Sequence, residues 1–497
     1  MSGDVGGQPC CGLISRLRAS FASRLARDTL TVFLFSGLGR ALSLGKEMLV
    51  AALFGVGGQL DVYVLAFLIP SLLVNIFGAA FASALIPALG RASAKAQPHV
   101  PPAPLPDPRR LLALALALQA GLTALAAVGL LCVPAPAMRV LAPFLDPARL
   151  EMVKAMQTAL LPLFILASLS QTMAACVNYR GGFRGPALAS TLGGLAIIAV
   201  IAVAHAGLGL GALVAGVDAG AAVEFCLLAW MLRRAWAVAP PVPSPLAGGT
   251  SEQTMGQTMG QAIAAKNAPA GPRGPLLRAL FRDWALLALG AGTLALSAFI
   301  DNVIASTLGE GAVSALSYAW KLPSGFATLL GLTLSTVLLP YFTSLASHAP
   351  PGELARSCKR VVTRLLAVCV PLAAAGALAS PLLVALLFQR GRFDAQAAGL
   401  VGAVQACYFI QLPFYLLCIV TQRMLQALSR FRFLFALQAG LVVVNALTCY
   451  ALSRVFGVAG IAVSSTCMYA LTAGISLLAL RRRLAARSSA LTAAGAE

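Results

Sequence analysis

Three cations stand where a bilayer gives charge no solvent. Arg40 and Lys46 fall in one apolar stretch early in the chain, and Lys321 falls in another far along it. An ionisable side chain at the bilayer centre is disfavoured by roughly 2.5–3.5 kcal/mol on insertion scales, so such groups face a cavity or one another. Ammonium and guanidinium groups hold oxyanions, phosphate above all, through charge-assisted hydrogen bonds. Arg40, Lys46 and Lys321 are therefore a candidate cationic patch in a water-filled cavity. Six more ionisable groups lie within or near apolar stretches: Glu47, Asp61, Asp218, Glu224, Asp301 and Arg423. At about 100° per residue Arg40 and Glu47 share a helix face, with Lys46 turned about 100° from Glu47. An internal Arg40–Glu47 pair that fixes helix packing is thus the simpler alternative to an anion site. Lys321 has no acidic neighbour on its own helix. Asp301-Asn302 sets a carboxylate beside an amide, which suits Na⁺ or a proton; a polar helix contact is equally open. Asp61 reads as an N-cap for its own helix. Asp218, Glu224 and Arg423 read as packing or snorkelling groups.

The elements that must position these residues are membrane helices. The chain has 497 residues, of which 59% are hydrophobic and only 10% charged. A soluble protein carries about 25% charge. A mean hydropathy of +0.87 and repeated apolar runs of about 20 residues place it in a bilayer. No strict alternation over about ten residues appears, which argues against a β-barrel. Twelve spans are expected, near 30–54, 61–90, 111–135, 152–177, 186–206, 209–232, 284–307, 312–345, 361–388, 396–425, 433–453 and 457–480.

The formal charge of +20 invites a nucleic-acid reading, but its placement points to topology. With the N-terminus inside, 26 of the 36 Lys and Arg fall on the cytoplasmic side, six outside and four within or near spans. This is the positive-inside bias. Both termini are expected in the cytoplasm, with no cleaved signal peptide and no nucleic-acid partner. The eleven cysteines, including the adjacent Cys10 and Cys11, show no metal-ligand spacing, and no disulfide framework is expected. His99, His205 and His348 do not cluster.

The chain repeats itself. Pro70 and Pro87 in the first half match Pro323 and Pro340 in the second at an offset of 253 residues; Leu161-Pro162-Leu163-Phe164 with Gln171 matches Leu412-Pro413-Phe414-Tyr415 with Gln422 at 251. Six spans per half is even, so the halves share an orientation, and a pseudo-twofold along the membrane normal is expected. The expected organisation is a basic tail over 1–28, an N-lobe over 29–235, a flexible cytoplasmic linker over 236–276, a C-lobe over 277–483 and a cytoplasmic tail over 484–497. The linker carries Pro240-Pro241-Val242-Pro243 and the near-duplicate Gln253-Thr254-Met255-Gly256 and Gln257-Thr258-Met259-Gly260. The fold class is thus an all-α polytopic membrane protein of two six-helix lobes. No hydrolase elbow, P-loop or HExxH motif is present, so an enzyme is not expected; an ion gradient or the membrane potential is the expected energy source.

Several segments together resemble one family. They are Arg40-Ala41-Leu42-Ser43-Leu44-Gly45-Lys46-Glu47 with Phe54-Gly55 and Asp61, Phe67-Leu68-Ile69-Pro70-Ser71, and Asp301-Asn302. Ser314 to Ala319, Leu322-Pro323-Ser324-Gly325, the Gln422-Arg423 pair and Leu387-Phe388-Gln389-Arg390-Gly391-Arg392-Phe393-Asp394, close to an LFxRGxFD signature, complete them. The chain resembles the MurJ/MviN lipid II flippases of the multidrug/oligosaccharidyl-lipid/polysaccharide exporter superfamily over residues 30 to 480. The resemblance implies a flippase that carries a polyprenyl-diphosphate glycan from inner to outer leaflet by alternating access. Arg40 and Lys46 match cavity arginines of the family, Glu47 and Asp61 match its acids, and Asp301 matches an acid that serves a sodium site in some members. Partners expected on this basis are the lipid-linked glycan, the bilayer and glycan-synthesis proteins, in a bacterial inner membrane. The chain departs from the family in three ways. Val74-Asn75 stand where a basic pair is usual, and Tyr318 and Lys321 stand where Arg and Glu are common. Its expected spans number twelve, where many members have fourteen. A lipid II-like precursor and a related exopolysaccharide repeat unit both remain open as cargo. The alternatives are a cation-coupled multidrug antiporter, which should rest on acidic rather than basic cavity residues, and a non-transporting scaffold, which would not need Lys321 in a span.

Overall fold

Lipid offers no partner to backbone N–H and C=O groups, so apolar runs of this length satisfy them internally as helices. The computed structural model describes residues 37–93, 108–140, 145–182, 184–237, 273–348, 351–428 and 430–494, and the regular elements among them are all helical. Helix α1 spans 37–54. Helices α2 (Gly58–Val74) and α3 (Ala80–Ser93) are joined by a π-helical turn, Asn75–Ala79. In the first half α4 (Pro108–Cys132), α5 (Pro147–Ala159), α6 (Leu161–Tyr179), α7 (Arg184–Leu208) and α8 (Gly211–Ala237) follow. The second half holds α9 (Arg273–Ala305), α10 (Ala312–His348), α11 (Pro351–Phe388), α12 (Ala395–Ala427), α13 (Phe431–Phe456) and α14 (Val458–Ala494).

Among the described residues ten helices are long and apolar enough to cross a membrane. Helices α1 and α10 are further long helices, at the places expected for the first and eighth spans. The apolar part of α14 ends at Arg483, and the helix itself runs on to Ala494. The basic tail, Cys10-Cys11 and most of the expected linker lie outside the described residues.

One expected span is divided. Residues 152–177 were expected as a single helix, but α5 stops at Ala159 and α6 starts at Leu161. Pro162 cannot donate a backbone hydrogen bond and its ring blocks a continuous helix. The next amide, Leu163 N–H, donates instead to Asp218 Oδ1 of α8 at 2.9 Å. Asp218 thus serves packing by capping α6.

The π-helical turn in the first half also has identifiable partners. A π turn frees carbonyls from the regular ladder. Trp284 Nε1 of α9 donates to Ile76 O at 3.0 Å. Gln119 Nε2 of α4 donates to Phe77 O at 2.8 Å. Helix α9 therefore belongs to the second half in sequence but buries Leu280 and Leu287 among residues of the first.

The largest apolar cluster crosses between halves. It joins Val50 and Leu65 to Val313, Ala319, Phe388 and Phe393. The outside is apolar as well: Val203, Leu378, Leu382 and Val455 are 70–85% exposed, which suits a lipid-facing rim.

Candidate anion and ion sites between the halves

Lys46 and Glu47 are neighbours on α1, and Lys321 comes from α10. All three converge. Lys46 Nζ lies 2.9 Å from Glu47 Oε1, and Lys321 Nζ donates to that same oxygen at 3.0 Å. The Glu47 side chain is 11% exposed, against 26% for Lys46 and 35% for Lys321. One buried carboxylate thus holds two cations from opposite halves, leaving a formal charge of +1 at the cluster. The Lys321 partner was not legible from its own helix, because it stands 274 residues away. In place of the Arg40–Glu47 pair that stood as the alternative, Glu47 turns to the two lysines. Arg40 is exposed on α1, about 10 Å along the helix from Glu47 at 1.5 Å per residue.

Tyr318, one turn before Lys321, carries no charge into this region. Its ring packs against Phe388 and Phe393 with centroids 5.5 Å from each. Those two phenylalanines belong to the Leu387–Asp394 signature. The signature is itself a join between halves: Arg392 N–H donates to Ala52 O of α1 at 2.9 Å. Gly391 adopts φ +58 there, and a Cβ on it would collide with the Ala52 carbonyl. Asp394 closes the motif by accepting from Ala397 N–H at 2.7 Å, which caps α12.

Asp61 does not cap its own helix. It lies in the first turn of α2, and its carboxylate accepts from the start of α10. Gly311 N–H reaches Oδ2 at 2.6 Å and Ser314 N–H reaches Oδ1 at 2.7 Å. Helix N-termini leave amides unsatisfied and carry partial positive charge, so a carboxylate is well placed there. Gly57 N–H donates in return to Ser314 Oγ at 3.3 Å. Nearby, Arg149 and Glu310 form an exposed ion pair at 2.5 Å.

Asp301 lies beside a second cluster. Asn445 Nδ2 of α13 donates to Asp301 Oδ1 at 2.9 Å, and Ser465 Oγ of α14 donates to Oδ2 at 3.3 Å. Asn445 also reaches Ser297 Oγ at 2.9 Å. Asn302, the expected companion of Asp301, donates to Ala298 O of its own helix. The amide that meets Asp301 is therefore Asn445, a fully buried polar residue in an apolar span, and that isolation was the signal available in sequence. Asn445 meets Asp301 through its N–H donor while its oxygen accepts from Ser464, so the oxygens open to Na⁺ here are those of the carboxylate and the hydroxyls, and the carboxylate can hold a proton instead. Among the described residues no three His, Cys, Asp or Glu gather as metal ligands. A cavity of about 320 Å³ connects this region to Lys321 and takes Phe67, Asp301, Trp320 and Tyr408 into its wall.

Arg423 is buried on α12 and donates to Gln426 Oε1 at 3.0 Å, so it serves helix packing. Glu224 lies against the backbone approach of Gly193.

Two helical halves that meet around buried charge, inside an apolar rim, define a polytopic membrane protein of the transporter kind. The chain belongs to the MurJ family, since the family model described as lipid II flippase MurJ matches residues 50–495. Lipid II flippase MurJ of Burkholderia cenocepacia is 27% identical over 463 residues, covering 92% of this chain and 84% of that protein. The solved structure of lipid II flippase MurJ in an inward closed conformation has a TM-score of 0.69 at 16% identity, over 92% of this chain and 90% of that one. An inward-facing multidrug resistance MATE family transporter of the MOP superfamily has a TM-score of 0.66 at 14% identity, over 92% of this chain and 99% of that one. These structural likenesses describe the fold.

Proposed function

We propose that this chain moves a polyprenyl-diphosphate-linked glycan, a lipid II-like precursor or a related repeat unit, from the inner to the outer leaflet of a bacterial inner membrane. Family membership over residues 50–495 carries this reading. The Lys46–Glu47–Lys321 cluster supports the site: it presents positive charge at the junction of the halves, where a diphosphate can pair with ammonium groups. Arg40 extends the same patch along α1. A diphosphate competing for the two lysines would loosen their hold on Glu47, so headgroup binding and lobe separation are coupled.

The reading places twelve spans in two lobes about a pseudo-twofold. Its support is that Asp61 and Ser314, which touch, are separated by the 253 residues that relate the repeated prolines. Contacts between equivalent positions belong near such an axis. With both termini in the cytoplasm, as the basic residues favour, α2 and α10 begin at the outer surface. Asp61, Gly57, Gly311 and Ser314 then close the outer mouth. Opening it requires the Asp61 carboxylate to release the α10 amides, which is one half of an alternating-access cycle. Asp301, Asn445 and Ser465 are the proposed coupling site, for Na⁺ or H⁺.

The test is reconstitution in vesicles with lipid II and, separately, with a polyprenyl-diphosphate monosaccharide, scoring movement across the bilayer. Movement of either supports the reading. Failure with both, together with proton-linked efflux of a cationic dye, would replace it with the antiporter. Growth of a strain depleted of its peptidoglycan flippase separates lipid II from other glycans as the cargo.

A further inference from the structure

A second basic site lies away from the junction, at one end of the first lobe. There α6 ends, the chain turns through Gly181 and Gly182, and α7 begins at Arg184. The last turns of α8 lie against this turn. Between them is a cavity of about 350 Å³ lined by Val177, Gly181, Arg184, Trp230, Met231 and Arg234. Its wall is split in character. Val177, Trp230 and Met231 offer apolar and aromatic surface, while Arg184 and Arg234 offer guanidinium groups, and no acid lines it.

The aromatic and basic groups are already organised. The Arg234 guanidinium sits 4.4 Å from the centre of the Trp230 ring, and Arg180 of the same turn sits 4.1 Å from that of Trp236. Trp230 remains 52% exposed, and Arg184 and Arg234 are exposed too. Exposed tryptophan beside arginine at the end of a membrane helix marks the headgroup level of a bilayer. Arg233 adds a fourth arginine at this end. The other lobe is basic at the matching end too, through Arg430 and Arg432, but at the offset of 251 residues that aligns Pro162 with Pro413 the positions of Arg180 and Arg184 are taken by Phe431 and Phe435.

A soluble anion would gain nothing from the apolar wall, and a neutral lipid nothing from the arginines. A ligand with a phosphate above and acyl chains below uses both. We infer that this cavity binds the phosphate headgroup of an anionic glycerophospholipid from the leaflet facing this end of the lobe. The site is distinct from the junction cluster, because its residues come from α6, α7 and α8 and not from α1 or α10.

Native mass spectrometry of the full chain, titrated with phosphatidylglycerol, cardiolipin or phosphatidylcholine, tests the inference. Both anionic lipids should bind at least about tenfold more tightly than phosphatidylcholine. Juxtamembrane basic residues attract anionic lipid at about 1 kcal/mol each, so Arg184→Gln with Arg234→Gln should lower that affinity about tenfold or more. Arg481→Gln with Arg482→Gln, the same charge change at another helix end, should lower it by a clearly smaller factor. If the glutamine pair fails to fold, Arg184→Lys with Arg234→Lys, which keeps charge and loses the planar fork, should lower affinity by a smaller factor. Equal loss from both glutamine pairs would reduce the effect to net charge and overturn the site. Displacement of the lipid by millimolar inorganic phosphate alone would make it a free-anion site. Tighter binding of undecaprenyl diphosphate than of either phospholipid, lost in the Arg184/Arg234 pair, would make it a reception point for cargo.

Discussion

Glu47 is the residue on which the junction balances. One of its oxygens holds Lys46 and Lys321 at 2.9 and 3.0 Å, so removing its charge raises the cluster from +1 to +2. Glu47→Gln should bind an anionic headgroup more tightly and release it more slowly, lowering KM and kcat together by about fivefold or more, since each 1.4 kcal/mol is tenfold. It should also lose about 1–3 kcal/mol of stability, between the values for exposed and buried pairs. Lys321→Gln works the other way: a neutral cluster should raise KM about tenfold with a smaller effect on kcat. The dependence of flipping rate on lipid density in vesicles measures both, and an unchanged KM in both would remove the cluster from the binding site. At Asp301, replacement by Asn keeps the shape and removes the charge that Asn445 and Ser465 meet. The initial rate in Asp301→Asn vesicles should no longer respond to an imposed Na⁺ or H⁺ gradient. A retained response would move the coupling site elsewhere.

At the scale of elements, the joins are made by helix ends. Asp61 on α2 supplies the N-terminal acceptor of α10. Loss of a helix cap is worth about 1–2 kcal/mol, which shifts an open–closed equilibrium by roughly 5–30-fold. Spin labels at Ala148 and Thr307 should report a longer, broader distance in Asp61→Ala than in the parent protein. The Leu387–Asp394 loop works through shape. Its Gly391 must stand at positive φ against the Ala52 carbonyl. Gly391→Ala pays a left-handed backbone penalty of about 1–2 kcal/mol plus the collision, so its thermal midpoint should fall by several degrees. The signature was legible as a string of letters, but its work was not: nothing in the sequence says that α1 arrives under Gly391.

At the scale of the whole molecule, the proposed cycle requires the two halves to part where they now meet. Gly57 N lies 3.3 Å from Ser314 Oγ across this join, but a Cβ on residue 57 would point into open space, so cysteines at these positions call for a short cleavable bis-maleimide bridge rather than a direct disulfide. In a background without the native cysteines, cross-linked Gly57→Cys/Ser314→Cys should lose transport, and cleavage of the linker should restore it. Full transport by the cross-linked form would show that this mouth need not open.

The amino-acid sequence by itself determined the membrane class, the places of the long helices and the repeat, because hydropathy and proline spacing are local and periodic. It also marked Lys46, Glu47, Asp61, Asp301 and Lys321 as residues needing partners, because lipid cannot solvate them. Which partner each one takes was decided only by the tertiary structure. Lys321 meets Glu47 across 274 residues, Asp61 meets α10 across 250, and Asp301 meets Asn445 across 144. Charge demands an opposite group within a few ångströms, and only the packing of the helices brings such distant positions that close.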